Sequence, residues 1–232
     1  MDAAQFVDKL KTYQSDKEYE KIRRYFKRDD TENRVIGVRM KQVFDLAKTN
    51  SDMSLEEINK LLDSPYYEAR MGAYSIMDFQ VQKKSTTGEH RKKLFELYLK
   101  RHDRINSWDY VDRSAPRVVG KYLYDFEKKR DVLYQMARSG SIWERRTAIT
   151  ATAWFIRQHQ LDDTFAIAEI LVDDPEELIQ KAVGTWLREA GKKNPEKLQR
   201  FLEEHAGVMP RPMLNNAIEK LEPDQKAYYR KL

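Results

Sequence analysis

Apolar residues recur along this chain at helical spacing almost without interruption, and no run alternates apolar with polar positions as a strand would. Ser54-Leu55-Glu56-Glu57 has the form of a capping box and opens an amphipathic stretch predicted to end near Ser64-Pro65. Residues 66–82 read as the next helix, with Met71, Tyr74, Met77 and Phe79 among its large side chains. Residues 83–89, containing Ser85-Thr86-Thr87-Gly88, read as a polar loop before a helix over 91–101 with Leu94, Leu97 and Tyr98 on one stripe. Ser107 is predicted to cap the helix that carries Trp108, and Pro116 to bend or split it. Further helices are expected over 129–139, 142–159, 164–171, 175–191, 195–205 and 212–221. The predicted class is all-α.

Self-similarity carries the architecture further. Tyr67-Glu68-Ala69-Arg70, Trp143-Glu144-Arg145-Arg146 and Leu178-Ile179-Gln180-Lys181 each place a large apolar residue three positions before a base. Trp108 belongs to the same series, with Asp112 near the place the base takes elsewhere. The anchors Tyr67, Trp108, Trp143 and Leu178 lie about 41, 35 and 35 residues apart, and each interval holds two helices. That is the size of a HEAT-like unit, whose helix pairs stack into a curved solenoid. The expectation is a single HEAT-like-repeat domain over 1–232, with Arg70, Asp112, Arg146 and Lys181 lining one concave groove.

Trp108 and Asp112 sit one helical turn apart, and the stripe continues through Ala115 and Val119. A carboxylate on such an apolar face is costly to hold ionised without a partner. On the residues alone it is a helix-terminal acid, half of an ion pair with Arg146, or a group kept for chemistry. Composition removes several other chemistries. There is no cysteine, so disulfides, thiolate metal sites and cysteine nucleophiles are excluded. His90, His102, His159 and His205 are scattered out of helical reach of one another, which argues for surface histidines and against a metal site. Gly-rich phosphate loops and a Gly-x-Ser-x-Gly elbow are absent. Phe44, Phe79, Tyr98, Phe155, Phe201, Trp143 and Trp154 are expected in the core. The formal charge of +5 permits a polyanionic partner without demanding one. The Met1-Asp2-Ala3-Ala4-Gln5 start lacks the basic and apolar runs of a signal peptide, and no apolar stretch approaches bilayer length. A cytoplasmic protein with no membrane partner is expected.

Asn106-Ser107-Trp108-Asp109-Tyr110-Val111-Asp112, with Ser114-Ala115, resembles the Asn-x-Trp-Asp-x-Val-Asp signature of bacterial alkylpurine DNA glycosylases of the AlkD type. Ser141 to Ala148 resembles that family's Trp-x-x-Arg-x-Ala segment, and Leu178 to Glu189 its Gln-Lys-Ala-Val-Gly segment. Tyr25-Phe26 followed by Gly37-Val38-Arg39-Met40 is similar to its entry motif, so the likeness spans about residues 20 to 195 in order. The resemblance implies a stack of HEAT-like helix pairs gripping duplex DNA, with no cofactor or metal; a monomer is expected. It implies hydrolysis of the N-glycosidic bond of cationic N3- or N7-alkylated purines, with the damaged base largely left in the stack and no strand cleavage.

Carried over by position, Asp112 matches the catalytic carboxylate, Trp108 the aromatic residue against the lesion's sugar, and Arg146 the arginine at the backbone beside the lesion. Arg70, Lys181, Arg188, Lys192 and Lys193 are the further candidates for phosphate contact. The chain departs from the family at Thr185, where a second active-site tryptophan often stands. Trp186 comes one place later, and one residue turns a helical side chain by about 100°. Thr185 and Trp186 are both counted among the candidate DNA-binding residues. The alternatives are a non-catalytic DNA-structure-binding paralogue on the same scaffold, or a protein-interaction scaffold in which Trp108 and Asp112 are structural.

Overall fold

The computed structural model describes residues 1–26, 32–127 and 129–232. Among the described residues the chain is all-helical, and an isolated parallel bridge between Arg34 and Tyr66 is its one extended pairing. None of the described helices is long and apolar enough to cross a membrane. The chain divides into two compact units, residues 1–106 and 107–232.

The first unit contains α1 (Ala3–Lys11), α2 (Asp16–Arg23), α3 (Met40–Thr49), α4 (Leu55–Leu62), α5 (Tyr67–Gln82) and α6 (Gly88–Lys100). Helix α5 is its axis, packed by α1, α3, α4 and α6, and every residue from Tyr67 to Asp78 is buried. That burial extends to Glu68, whose carboxylate accepts the backbone N–H groups of Ile36, Gly37 and Val38 at 2.9, 2.8 and 3.2 Å. A buried acid is tolerated when hydrogen bonds replace its water.

Two local expectations need correction here. Ser54 caps α4 by accepting the Glu57 N–H, but the Glu57 carboxylate does not return to complete a capping box. It accepts the Ala3 N–H at 2.7 Å instead, so the acid joins two helices rather than closing one. The polar loop is also shorter than expected, because Thr87 accepts the His90 N–H and starts α6 at Gly88.

The second unit opens with α7 (Trp108–Ala115), passes through a π-helical segment (Pro116–Lys121) and continues as α8 (Tyr122–Phe126). Pro116 has no N–H to give the carbonyl of Asp112, which is where an α-helix would continue. Next come α9 (Asp131–Ala137), α10 (Ile142–Ala151), α11 (Ala153–Arg157), α12 (Asp162–Ile170), α13 (Glu177–Gly191), α14 (Pro195–His205), α15 (Arg211–Ala217) and α16 (Pro223–Tyr229). The expected 142–159 helix is two, broken at Thr152, whose hydroxyl donates to the Ile149 carbonyl at 2.7 Å.

Helices α7, α10, α13 and α15 touch in succession, while α9 packs on α10 and α12, and α12 on α10 and α13. This two-layer array is the repeat that the 35-residue spacing announced. The anchors Trp108, Trp143 and Leu178 stand in the first turns of α7, α10 and α13. Gly184 is what allows the closest of these approaches, since a Cβ there would overlap the Met213 carbonyl oxygen of α15 and lie 2.7 Å from Asn216 Cβ.

Some side chains depart from the expected burial. His102 is buried against Tyr98, with ring centroids 5.8 Å apart, so it is not a surface histidine. Phe44, Phe79, Trp143 and Trp154 are only partly buried, unlike Tyr98, Phe155 and Phe201.

Candidate active site

Helix α7 starts with its most exposed large residue. Trp108 is 46% exposed at the first helical position, and Ser107 occupies the cap without a side-chain cap hydrogen bond. The expected capping by the Ser107 hydroxyl is therefore absent. Along the Trp108–Asp112–Ala115–Val119 stripe, Ala115 and Val119 are wholly buried while the two residues before them open to solvent. The acid sits where the stripe leaves the core, which is why its face is apolar in sequence yet accessible in space.

Arg146 reaches Asp112 from the first half of α10. Its Nε and Nη2 donate to Oδ1 and Oδ2 at 3.1 and 2.9 Å, a two-pronged ion pair. The third prong, Nη1, donates to the carbonyl of Leu178 at 2.8 Å in the first turn of α13. The guanidinium carbon lies 5.8 Å from the centroid of the Trp108 ring. The Arg146 side chain is 10% exposed and that of Asp112 36%, so the cation is anchored and the anion looks outward.

These surroundings set the acid's proton affinity. Burial raises the Asp112 carboxyl above its ordinary value; the charge and hydrogen bonds of Arg146 oppose the rise, and the nearby Asp109 carboxylate adds to it. Each oxygen spends one lone pair on Arg146 and keeps another for a water or a developing cation. The outcome is an oriented, partly desolvated carboxylate next to an open indole.

Next door, Arg145 clamps the loops beneath. Its Nε and Nη2 donate to Asp174 at 2.6 and 3.4 Å, and its Nη1 to the carbonyls of Ser139 and Gly140 at 3.0 and 3.1 Å. Neither this brace nor the Leu178 carbonyl was visible in the sequence. A backbone acceptor carries no residue signature, and Arg145 reads there as one more base beside Arg146.

The other sequence candidates are engaged with different partners. Arg70 belongs to the first unit, where it is buried and donates to Asn33 Oδ1 and to the Glu32 carbonyl. Lys181 is exposed and pairs with Glu177 on its own helix at 2.6 Å. Arg188 bonds Glu189 and Glu219, and Lys192 bonds Glu189 at 2.6 Å. Trp186 donates through Nε1 to Thr150 Oγ1 at 3.4 Å, and with Thr185, Lys192 and Lys193 it lines a separate cleft. Within the second unit, Trp108, Asp112 and Arg146 are the candidates gathered around the carboxylate.

The comparisons agree with the helical array. A solved structure described as a predicted DNA alkylation repair enzyme from Enterococcus faecalis superposes with a TM-score of 0.70 at 17% identity, covering 90% of this chain and 97% of that one. At that identity the likeness speaks for the fold alone. No match is found among curated proteins. The pattern of the DNA alkylation repair enzyme family, however, matches residues 6–221, nearly the whole length. The chain belongs to the family of DNA alkylation repair enzymes.

Proposed function

We propose that this family member is a monofunctional DNA glycosylase that hydrolyses the N-glycosidic bond of cationic N3- or N7-alkylated purines in duplex DNA. The observation that carries the reading is the half-open Asp112 carboxylate, oriented by Arg146 and bordered by the exposed face of Trp108.

Alkylation at N3 or N7 makes the purine a good leaving group without a protein acid. The reaction then needs a stabiliser for the oxocarbenium-like sugar and a guide for the incoming water. A fixed carboxylate supplies the first electrostatically and the second by accepting the water's proton. The raised proton affinity of Asp112 makes it a better base than a solvated aspartate. Trp108 offers an indole face on which a sugar can pack and a π cloud that favours developing positive charge. Arg146, its side chain 10% exposed, holds the acid in place and adds positive charge to the field that a phosphate meets at the site. Among the described residues no lysine stands in this constellation, and the reading is therefore of a monofunctional enzyme that leaves the strand intact.

The test is release of 7-methylguanine or 3-methyladenine from methylated duplex DNA, followed by chromatography of the freed bases. Release of either from the wild type and its loss in Asp112→Asn is the expected result; release of neither overturns the proposal. One observation favours a second reading: Arg146 already occupies both oxygens of Asp112. A non-catalytic protein that binds DNA structure would show salt-sensitive binding, with a slope of about −0.9 in log K against log salt per phosphate neutralised, and no base release.

A further inference from the structure

Arg145 and Arg146 are neighbours on α10, and both reach the start of α13. Successive residues on a helix point about 100° apart, so the two guanidiniums take hold from different sides. Arg146 donates to the Leu178 carbonyl at 2.8 Å. That carbonyl stands in the first turn of α13, where it also serves the helix's own ladder and gives Arg146 its second lone pair. The guanidinium is therefore placed only as firmly as that first turn.

Asp174 is what holds the turn. It lies in the loop between α12 and α13 with its side chain only 4% exposed. Its Oδ1 accepts the Glu176 N–H at 2.9 Å and its carbonyl accepts Gln180 Nε2 at 2.8 Å, so the loop is tied at two points to the helix it precedes. The carboxylate is gripped in turn by Arg145 Nε at 2.6 Å. The same guanidinium donates through Nη1 to the carbonyls of Ser139 and Gly140, in the loop between α9 and α10. One side chain thus links the turns of two successive helix pairs. Burying such a pair adds little net stability, because desolvation offsets the attraction; what a rigid fork of donors does supply is a fixed geometry.

We propose that Arg145 and Asp174 are positioning residues for the Asp112 carboxylate, acting through the Leu178 carbonyl and Arg146. The assignment rests on the reading of Asp112 as the reacting carboxylate and extends it to a pair whose own hydrogen bonds do not include that acid. With the brace cut, Arg146 keeps its place on α10 but loses a fixed third anchor, and its fork on Asp112 loosens. The charges that act on Asp112 are Arg146 from α10 and Asp109 from α7 itself. Loosening the first leaves burial and Asp109 less opposed, so the carboxyl keeps its proton to higher pH.

The test uses the full chain and reads Asp112 directly, by carbon-13 titration of its carboxyl, assigned by the signal missing in Asp112→Asn. Arg145→Met alone strands a buried carboxylate and threatens folding, so it is combined with Asp174→Asn, which keeps the acceptor for Glu176. This double variant should raise the Asp112 midpoint by about half a pH unit or more. It should lower single-turnover base release by about 10- to 100-fold while duplex affinity stays within about twofold. Arg145→Lys, which keeps the charge but not the fork, should recover part of both. In an Arg146→Met background the double variant should add no further rise, because the link it acts through is gone. A lowered Tm with the Asp112 midpoint unmoved makes the pair merely structural and overturns the proposal, as does a rise that persists in full without Arg146. If wild type releases no base while the titration behaves as described, the glycosylase reading falls and the positioning of the carboxylate stands.

Discussion

Asp112→Asn separates a carboxylate kept for chemistry from one kept for the fold. The Arg146 fork at 3.1 and 2.9 Å, judged by itself, looks stabilising, because a hydrogen bond to a charged group contributes about 1.5–3 kcal/mol when desolvated. Burial, however, outweighs that attraction and leaves the Asp112 carboxyl raised above its ordinary value. A carboxyl raised in the folded state contributes stability that is complete below its unfolded-state value and is lost as pH rises through the folded one. Wherever Asp112 is ionised, none of that contribution remains for asparagine to remove. Asparagine keeps the shape, leaves one acceptor for Arg146 and drops the charge. Stability should change by no more than about 1 kcal/mol, the range for an ion pair open to solvent on one side, a shift of roughly 4 °C or less in Tm. Base release should fall by about 10²- to 10⁴-fold, the range for loss of a general base or of a preorganised electrostatic stabiliser. Calorimetry and single-turnover release of 7-methylguanine, run on the same preparation, read both quantities. A Tm lowered by many degrees with release kept within a few-fold would refute the reasoning and make Asp112 half of a structural ion pair.

Three further outcomes follow from the same geometry. Base release should rise with pH along the ionisation of Asp112, with its midpoint above the ordinary carboxylate value of about 3.9, and Arg146→Met should move that limb higher because the opposing charge is gone; an unmoved limb would show that Arg146 does not act through the acid. Trp108→Ala, at a 46% exposed position, should change urea-unfolding stability by only about 0.5 kcal/mol while lowering release at least tenfold; unaltered release would remove Trp108 from the reaction. Gly184→Ala should destabilise by about 1–3 kcal/mol, because its Cβ lies 2.7 Å from Asn216 Cβ and overlaps the Met213 carbonyl; a neutral change in the urea midpoint would mean that α13 and α15 separate freely.

Much of this was legible in the residues because repetition fixes two things at once, the length of the unit and the position of its anchors. Trp108, Trp143 and Leu178 could be aligned by spacing, and each stands at a helix start. The missing parts failed for particular physical reasons. Helix α2 buries only Glu18 and Ile22 and so shows no apolar stripe to read. Thr87 starts α6 early through a side-chain hydrogen bond, while Ser107, an equally good cap by composition, makes none. Spacing placed Arg70 and Lys181 in register with Arg146 but could not say which way each is spent. One is buried against Asn33 and the other turned along its own helix to Glu177.

Placement of the acid depends on elements that have no chemistry of their own. Arg146 divides its three donors between Asp112 and the Leu178 carbonyl, so the carboxylate is oriented only as well as the start of α13 is. The axis of α13 is in turn set by its close approach to α15 at Gly184. On the other side, Pro116 withholds the N–H that would close on the Asp112 carbonyl, and the π-helical segment that follows packs on α10 and α11. A Cβ at Gly120 in that segment would lie 3.1 Å from the Cβ of Trp154, so small residues set the distance between layers there too. The glycines and the proline thus act on the same atom pair as Arg146, by fixing how far α7, α10 and α13 stand apart. A carboxylate that must be half desolvated and half open is specified by inter-helix distance as much as by its own neighbours, which is why a repeat scaffold suits it.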